Sequence, residues 1–174
     1  MTVGIRPHEM MALLLGGLAC VFDLRERRIP NLLTFGGAAV ALAYAAASQG
    51  WGGLLISVEG WAVGLALFLP MFLLGGMGAG DVKLLACLGA WIGPQEAFWM
   101  AIYAMVAGGV MAVVVALAAG YMRQAVSNVW MLLKYWRVMG VRPVPELTLS
   151  SARGPRLPYA IPIAAGAVAA ILLQ

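Results

Sequence analysis

Gly75-Gly76-Met77-Gly78-Ala79-Gly80-Asp81-Val82-Lys83-Leu84 lies near the middle of the chain, directly after a long apolar run. The stretch holds four glycines, one acid and one base. The whole chain is 63% hydrophobic and 10% charged, against about 25% charged in an average soluble domain. In a chain this oily, an ionisable group at the mouth of a membrane helix is a candidate for function. Asp81 is one half of that candidate, and Asp23 is the other.

Several apolar runs approach the roughly 20 residues that cross a hydrocarbon core. The first goes from about His8 to Phe22, followed by Asp23-Leu24-Arg25-Glu26-Arg27-Arg28. Gly17-Leu18-Ala19-Cys20 faintly resembles a lipoprotein cleavage box. The charged cluster is better explained as a cytoplasmic turn that holds the end of an uncleaved helix inside. Ile29-Pro30-Asn31 restarts the chain, because proline suits a helix start and asparagine an N-cap. A second helix is expected over about Leu32–Ser48, a turn over Gln49–Gly53, and a third helix over about Leu54–Leu74. Glu59 is either a polar partner inside the bundle or the true start of that third helix, with Leu54–Val58 in the interface; the second is preferred, since a carboxylate among lipid tails is costly. Gly60 and Gly64 offer a small-residue face for close helix contact.

Leu84–Ile92 is too short to span unaided and ends at Gly93-Pro94. A fifth helix is expected over about Ala97–Ala119. Tyr121–Gly140 mixes Arg123, Lys134 and Arg137 with Val126, Val129, Trp130, Leu133 and Trp136. That mixture fits a helix lying in the interface, and equally an extension of the fifth helix into the cytoplasm. Arg142–Arg156 reads as a Pro- and base-rich loop, and the last helix starts near Leu157-Pro158-Tyr159 and runs to the C-terminus.

Charge sets the orientation. Of the eleven Lys and Arg residues, all but Arg6 fall in gaps that would face one side. Cytoplasmic loops carry such an excess. The expected fold is therefore an all-α integral membrane protein, a single polytopic domain over residues 1–174. It has six transmembrane helices, an interfacial helix between the fifth and sixth, and both termini outside. The net charge of +4 does not indicate nucleic acid, because the bases cluster between apolar runs and form no basic recognition module. Cys20 and Cys87 lie in apolar segments without a CxxC pair, and are read as small core residues. No metal-ligand set is present, so neither metal nor cofactor is expected.

Asp23 ends the first helix and Asp81 follows the third, so both reach the same membrane face. Two carboxylates a few ångströms apart cannot both ionise easily, and one keeps a proton. The charged one can take a proton from water while the protonated one polarises a peptide carbonyl. Gly76, Gly78 and Gly80 would let the backbone bend and an extended substrate approach. Each aspartate alone could instead be a solvated acid or a partner for Arg25, Arg27 or Lys83.

Gly78-Ala79-Gly80-Asp81 resembles the GxGD signature of intramembrane aspartic proteases. More narrowly, Gly76–Leu84 together with Leu88-Gly89-Ala90-Trp91-Ile92-Gly93 resembles the type IV prepilin peptidase family. Asp23 with Arg28-Ile29-Pro30-Asn31 and Thr34 is similar to that family's first aspartate motif, and Pro158–Pro162 to its last-helix segment. The resemblance implies an aspartic endopeptidase of the bacterial inner membrane with Asp23 and Asp81 as the catalytic pair. It implies prepilin or pseudopilin substrates, with a basic leader before an apolar helix, cut on the cytoplasmic side. Pro30, Asn31 and Lys83 match the motifs; for Lys83, placing Asp81 and meeting a substrate carboxylate both stay open. Larger members carry a cytoplasmic insertion with paired CxxC motifs, associated with N-methylation. That insertion is missing here, so peptidase without methyltransferase activity is expected, as in short Tad/Flp-type members. The rival readings are a GxGD protease for other membrane substrates, or a non-enzymatic subunit of pilus assembly or transport.

Overall fold

Pro7 opens the first helix and Arg27 closes it. In the computed structural model, which describes residues 4–144 and 157–173, helix α1 spans Pro7–Glu26. Proline at the first position gives up an N–H that would have no partner there, and the Arg6 N–H donates to Glu9 Oε2 at 2.7 Å. Arg27 takes a left-handed conformation (φ 52), and its N–H returns to the Asp23 carbonyl at 3.1 Å. The helix thus continues to Glu26, past Asp23, its expected end. Leu24, Arg25 and Glu26 are good helix formers, and with them Asp23 stands in the last turn.

Leu32–Gly36 then form one π-helical turn that runs into α2, Gly37–Leu73. Gly50 interrupts α2 at φ 63 and ψ −150, a conformation open only to glycine. The chain folds back there. A Cβ on Gly53 would lie 2.7 Å from the Ala45 carbonyl oxygen, and residues on both arms reach one place on α3. The expected five-residue turn Gln49–Gly53 is therefore a single residue, with helix on both sides. Glu59 does not begin the second arm; it sits on an exposed face of it, in the third turn after Gly50.

Helices α3 (Ala79–Ile92) and α4 (Pro94–Ala118) are likewise joined through one glycine, Gly93, at φ 90. Gly120 (φ 71) separates α4 from α5, Met122–Met139. That break excludes a plain extension of α4. The expected loop Arg142–Arg156 lies mostly outside the described residues. Helix α6 spans Ala160–Leu172. Among the described residues, three helical runs are long and apolar enough to cross a membrane: Pro7–Glu26, Leu32–Leu73 and Pro94–Ala118. The second of these contains the Gly50 fold.

Helix α3 is the centre. From Leu84 to Ile92 every residue is buried, and α1, both arms of α2, α4 and α6 pack around it. A helix that is apolar all round belongs inside. Small residues let its neighbours come close. A Cβ on Gly60 would collide with the Gly89 carbonyl, and one on Gly64 would stand 2.6 Å from the Leu85 carbonyl oxygen. Gly166 of α6 meets the Met100 carbonyl of α4 in the same way, at 2.5 Å. Ser57 supplies a polar tie that sequence did not suggest, donating to the Ala90 carbonyl at 2.7 Å.

Gly60→Ala should therefore destabilise the protein by about 1–3 kcal/mol, the usual cost of overpacking. Gly52→Ala, with open space around it, should change stability by less than about 1 kcal/mol. Thermal melts of both variants in detergent check the difference.

Candidate active site

Asp23 and Asp81 arrive from opposite directions. Asp23 rides on the last turn of α1; Asp81 rides on the first turn of α3, ahead of that helix's apolar run. The end of α2 bends at Gly75, the glycine of this stretch with a positive φ (77). Gly78 then caps α3 in extended conformation (φ −77, ψ 146), and the Asp81 N–H donates to its carbonyl at 3.2 Å.

The motif glycines do different jobs. A Cβ on Gly78 would sit 3.1 Å from Asp81 Oδ2, tighter than ordinary contact, so the lack of a side chain gives the carboxylate room. A Cβ on Gly80 would meet the Ile29 side chain at 3.5 Å, and one on Gly76 the Met71 carbonyl at 3.6 Å. Both are ordinary contacts. The sharp bend expected of Gly76, Gly78 and Gly80 belongs to Gly75 instead.

The third wall is the start of α6. The Ala160 N–H donates to Asp23 Oδ2 at 3.2 Å. Helix N-termini carry unpaired N–H groups and a positive dipole end, both suited to a carboxylate. Tyr159, one residue earlier, packs its ring edge-on against Phe68 at 6.1 Å between centroids and fills the space that glycine leaves at Gly108. Burial, and then the Asp81 charge, push the Tyr159 hydroxyl above its ordinary range.

Electrostatics joins the two acids. Burial is the main cause that lifts the Asp81 carboxyl from 3.8 to about 7, and the Asp23 charge adds to it; the Gly78 backbone contact opposes both. Asp81 therefore keeps its proton in the folded protein under conditions that strip an ordinary carboxyl.

Pro30, Asn31 and Lys83 form the outer edge. Lys83 Nζ donates to Asn31 Oδ1 at 3.0 Å and lies 5.0 Å from the centre of the Phe35 ring. Asn31 was expected to cap the second helix with its side chain. Its amide oxygen takes the Lys83 ammonium instead, and the Pro30 carbonyl accepts the Leu33 and Thr34 N–H groups. Thr34 is buried and donates to the Asn31 carbonyl at 3.3 Å. Two α3 side chains hold the π turn from behind. Trp91 Nε1 donates to the Gly37 carbonyl at 3.1 Å, and Cys87 Sγ to that of Leu33 at 3.8 Å. Sequence reading missed these two; their spacing of one helical turn, facing a proline-started segment, was the available signal.

The sequence model of the type IV leader peptidase family matches residues 10–113. The chain belongs to that family. No curated protein and no solved structure matches the chain. The matched segment contains both aspartates, the π turn, α2, α3 and most of α4, while α5 and α6 lie beyond it. Membership in a leader peptidase family makes the protein a protease, and the apolar helices make it a membrane protein. Within the family match, Asp23 accepts from the first N–H of α6, and its charge acts on the buried Asp81.

The Asp81 proton has a sign that can be measured. Folded, Asp81 titrates at about 7; its ordinary value is 3.8. Between the two the folded chain binds more protons than the unfolded one, so stability falls as pH rises. At about 1.4 kcal/mol per tenfold change in proton affinity, the penalty approaches roughly 4 kcal/mol. Asp81→Asn cannot ionise, so its melting temperature should gain on that of the parent from about pH 4 to about pH 8. For the outer edge, a double-mutant cycle of Asn31→Ala and Lys83→Ala should return a coupling of about 0.5–1 kcal/mol, the scale of a partly exposed charged pair.

Proposed function

We propose that the protein is a membrane-embedded aspartic endopeptidase that removes N-terminal leaders from prepilins or pseudopilins at the cytoplasmic membrane face. The observation that carries the reading is that Asp23, held by the first N–H of α6, acts by its charge on the buried Asp81. Family membership supports it from the sequence side.

In this reading α1, the two arms of α2, α3, α4 and α6 make six crossings, and α5 lies at the cytoplasmic surface. The glycine folds at Gly50 and Gly93 then face outside. Arg25, Arg27, Arg28 and Lys83 lie at the aspartate end, as the positive-inside rule asks. Because Gly50 divides Leu32–Leu73 into two arms, the three long apolar runs supply four of these crossings, and the shorter α3 and α6 supply the other two.

The reaction follows from the two protonation states. Asp23, facing the Ala160 N–H, acts as the base: it takes a proton from water as the oxygen attacks the scissile carbonyl. Asp81 acts as the acid and gives its proton to the carbonyl oxygen, yielding a neutral gem-diol. Collapse of the diol returns a proton to Asp81. The proton on Asp23 goes to the leaving nitrogen, so the C–N bond breaks with both acids restored. The GxGD stretch leaves the approach to Asp81 open, with Gly78 keeping its carboxylate unobstructed. Pro30, Asn31 and Lys83 hold the segment after Asp23 in register with α3. The chain has no paired cysteines of the kind linked to N-methylation, so the product leaves with an unmodified amino end.

Co-expression with a candidate prepilin and intact-mass measurement tests this. The parent should convert the prepilin to a product lighter by the leader alone, with no added methyl mass. Asp23→Asn and Asp81→Asn should each slow conversion by roughly 10²–10⁴-fold. Activity should fall above about pH 7, as Asp81 loses the proton that the acid step needs. Processing by Asp81→Asn at the parent's rate overturns the proposal.

A further inference from the structure

Helix α5 buries none of its residues, yet it is built with two distinct faces. At 100° per residue, Arg123, Ser127, Trp130, Lys134 and Arg137 follow one another at steps of four, three, four and three, and form a single stripe. Beside that stripe run Val126, Val129 and Leu133, all more than half exposed. Between residues 121 and 142 there are four bases and no acid. The Trp136 indole donates to the Arg142 carbonyl at 2.9 Å, which folds the fourth basic residue back against the end of the helix.

A groove of about 390 Å³ separates α5 from the last turns of α4. Its lining is apolar, with Ala112, Val113 and Ala116 on one side and Val126, Val129 and Trp130 on the other. Trp130 belongs to both features. Its ring closes the groove, and Lys134 Nζ stands over that ring at 5.5 Å. An apolar slot and a cationic rim therefore share one residue.

We propose that α5 and the end of α4 bind an anionic phospholipid, with an acyl chain in the groove and the phosphate at the Arg123–Lys134–Arg137 stripe. The occupant must be apolar at one end and negative at the other. A neutral lipid leaves the bases without a counter-charge, and an acidic soluble peptide leaves the groove empty. Basic amphipathic helices with tryptophan on their apolar side bind anionic interfaces in this way. The proposal needs the protein to sit in a membrane, but it does not depend on the peptidase reading.

The test uses the full chain in neutral detergent, titrated with phosphatidylglycerol or phosphatidylcholine and read by native mass spectrometry. The parent should retain phosphatidylglycerol at least tenfold better than phosphatidylcholine. Arg123→Gln, Lys134→Gln and Arg137→Gln together should weaken phosphatidylglycerol binding by roughly a hundredfold, about fivefold for each base, and leave phosphatidylcholine binding unchanged. A nitroxide at position 129 supplies a second reading. It should gain contact with dissolved oxygen and lose contact with a water-soluble relaxer when phosphatidylglycerol is added. Equal retention of the two lipids overturns the proposal. So does a label at 129 that is shielded without lipid, since another segment of this chain or a second copy would then cover the face.

Discussion

Backbone-to-backbone contact at Gly60 and Gly89 is the constraint on which the structure rests. In lipid, one helix gains little hydrophobic free energy by leaving the hydrocarbon for another helix, so packing has to come from close fit. Helix α3 is only 14 residues long. It can stand at the centre of the bundle because Gly60, Gly64 and Gly89 let the second arm of α2 lie against its carbonyls. The single-glycine folds at Gly50 and Gly93 serve the same end. They return the chain at once, so the arms on either side stay in register with α3 without a long connection between them.

That packing fixes where Asp81 stands. The first turn of α3 emerges beside the last turn of α1 and the first turn of α6, three segments far apart in the chain. Asp23 meets the α6 backbone directly, while Asp81 is shaped by burial and by the charge on Asp23. The two carboxyls differ because their surroundings differ: one accepts a backbone N–H, and the other is folded over a glycine. The proposed division into base and acid draws on that inequality, since two identical acids would compete for the same role.

Much of this was legible in the sequence. Asp81 announced itself because charge is scarce in the chain, and its GxGD setting tied it to Asp23 through a resemblance covering both motifs. Helix positions followed from the apolar runs, and the small faces at Gly60 and Gly64 followed from their spacing. Boundaries were less legible. Nothing local shows that Gly50 alone turns the chain, because Trp51, Gly52 and Gly53 all look like turn residues until tertiary contact makes them helical. The same holds for Asn31, whose side chain is a good cap in isolation but is claimed by Lys83 from a helix fifty residues on. Gly75 and Gly76 are indistinguishable by composition, and only the backbone shows which one bends. Of the partners of the π turn, Cys87 read as a plain core residue and Trp91 only as part of the Leu88–Gly93 block, because their bonds are to carbonyls, which leave no trace in sequence.

The π turn at Leu32–Gly36 has an implication for how the chain can change. Such a turn accommodates one surplus residue within an otherwise ordinary helix. Losing any one residue there would let a regular spiral close up without a gap. Everything before it would then swing by about 100° around the helix axis. Asn31 would leave Lys83, and the link between the two aspartate segments would go out of phase while each motif stayed intact letter for letter. The spelling of this segment is thus less constrained than its count, so length, rather than identity, is what selection would be expected to guard.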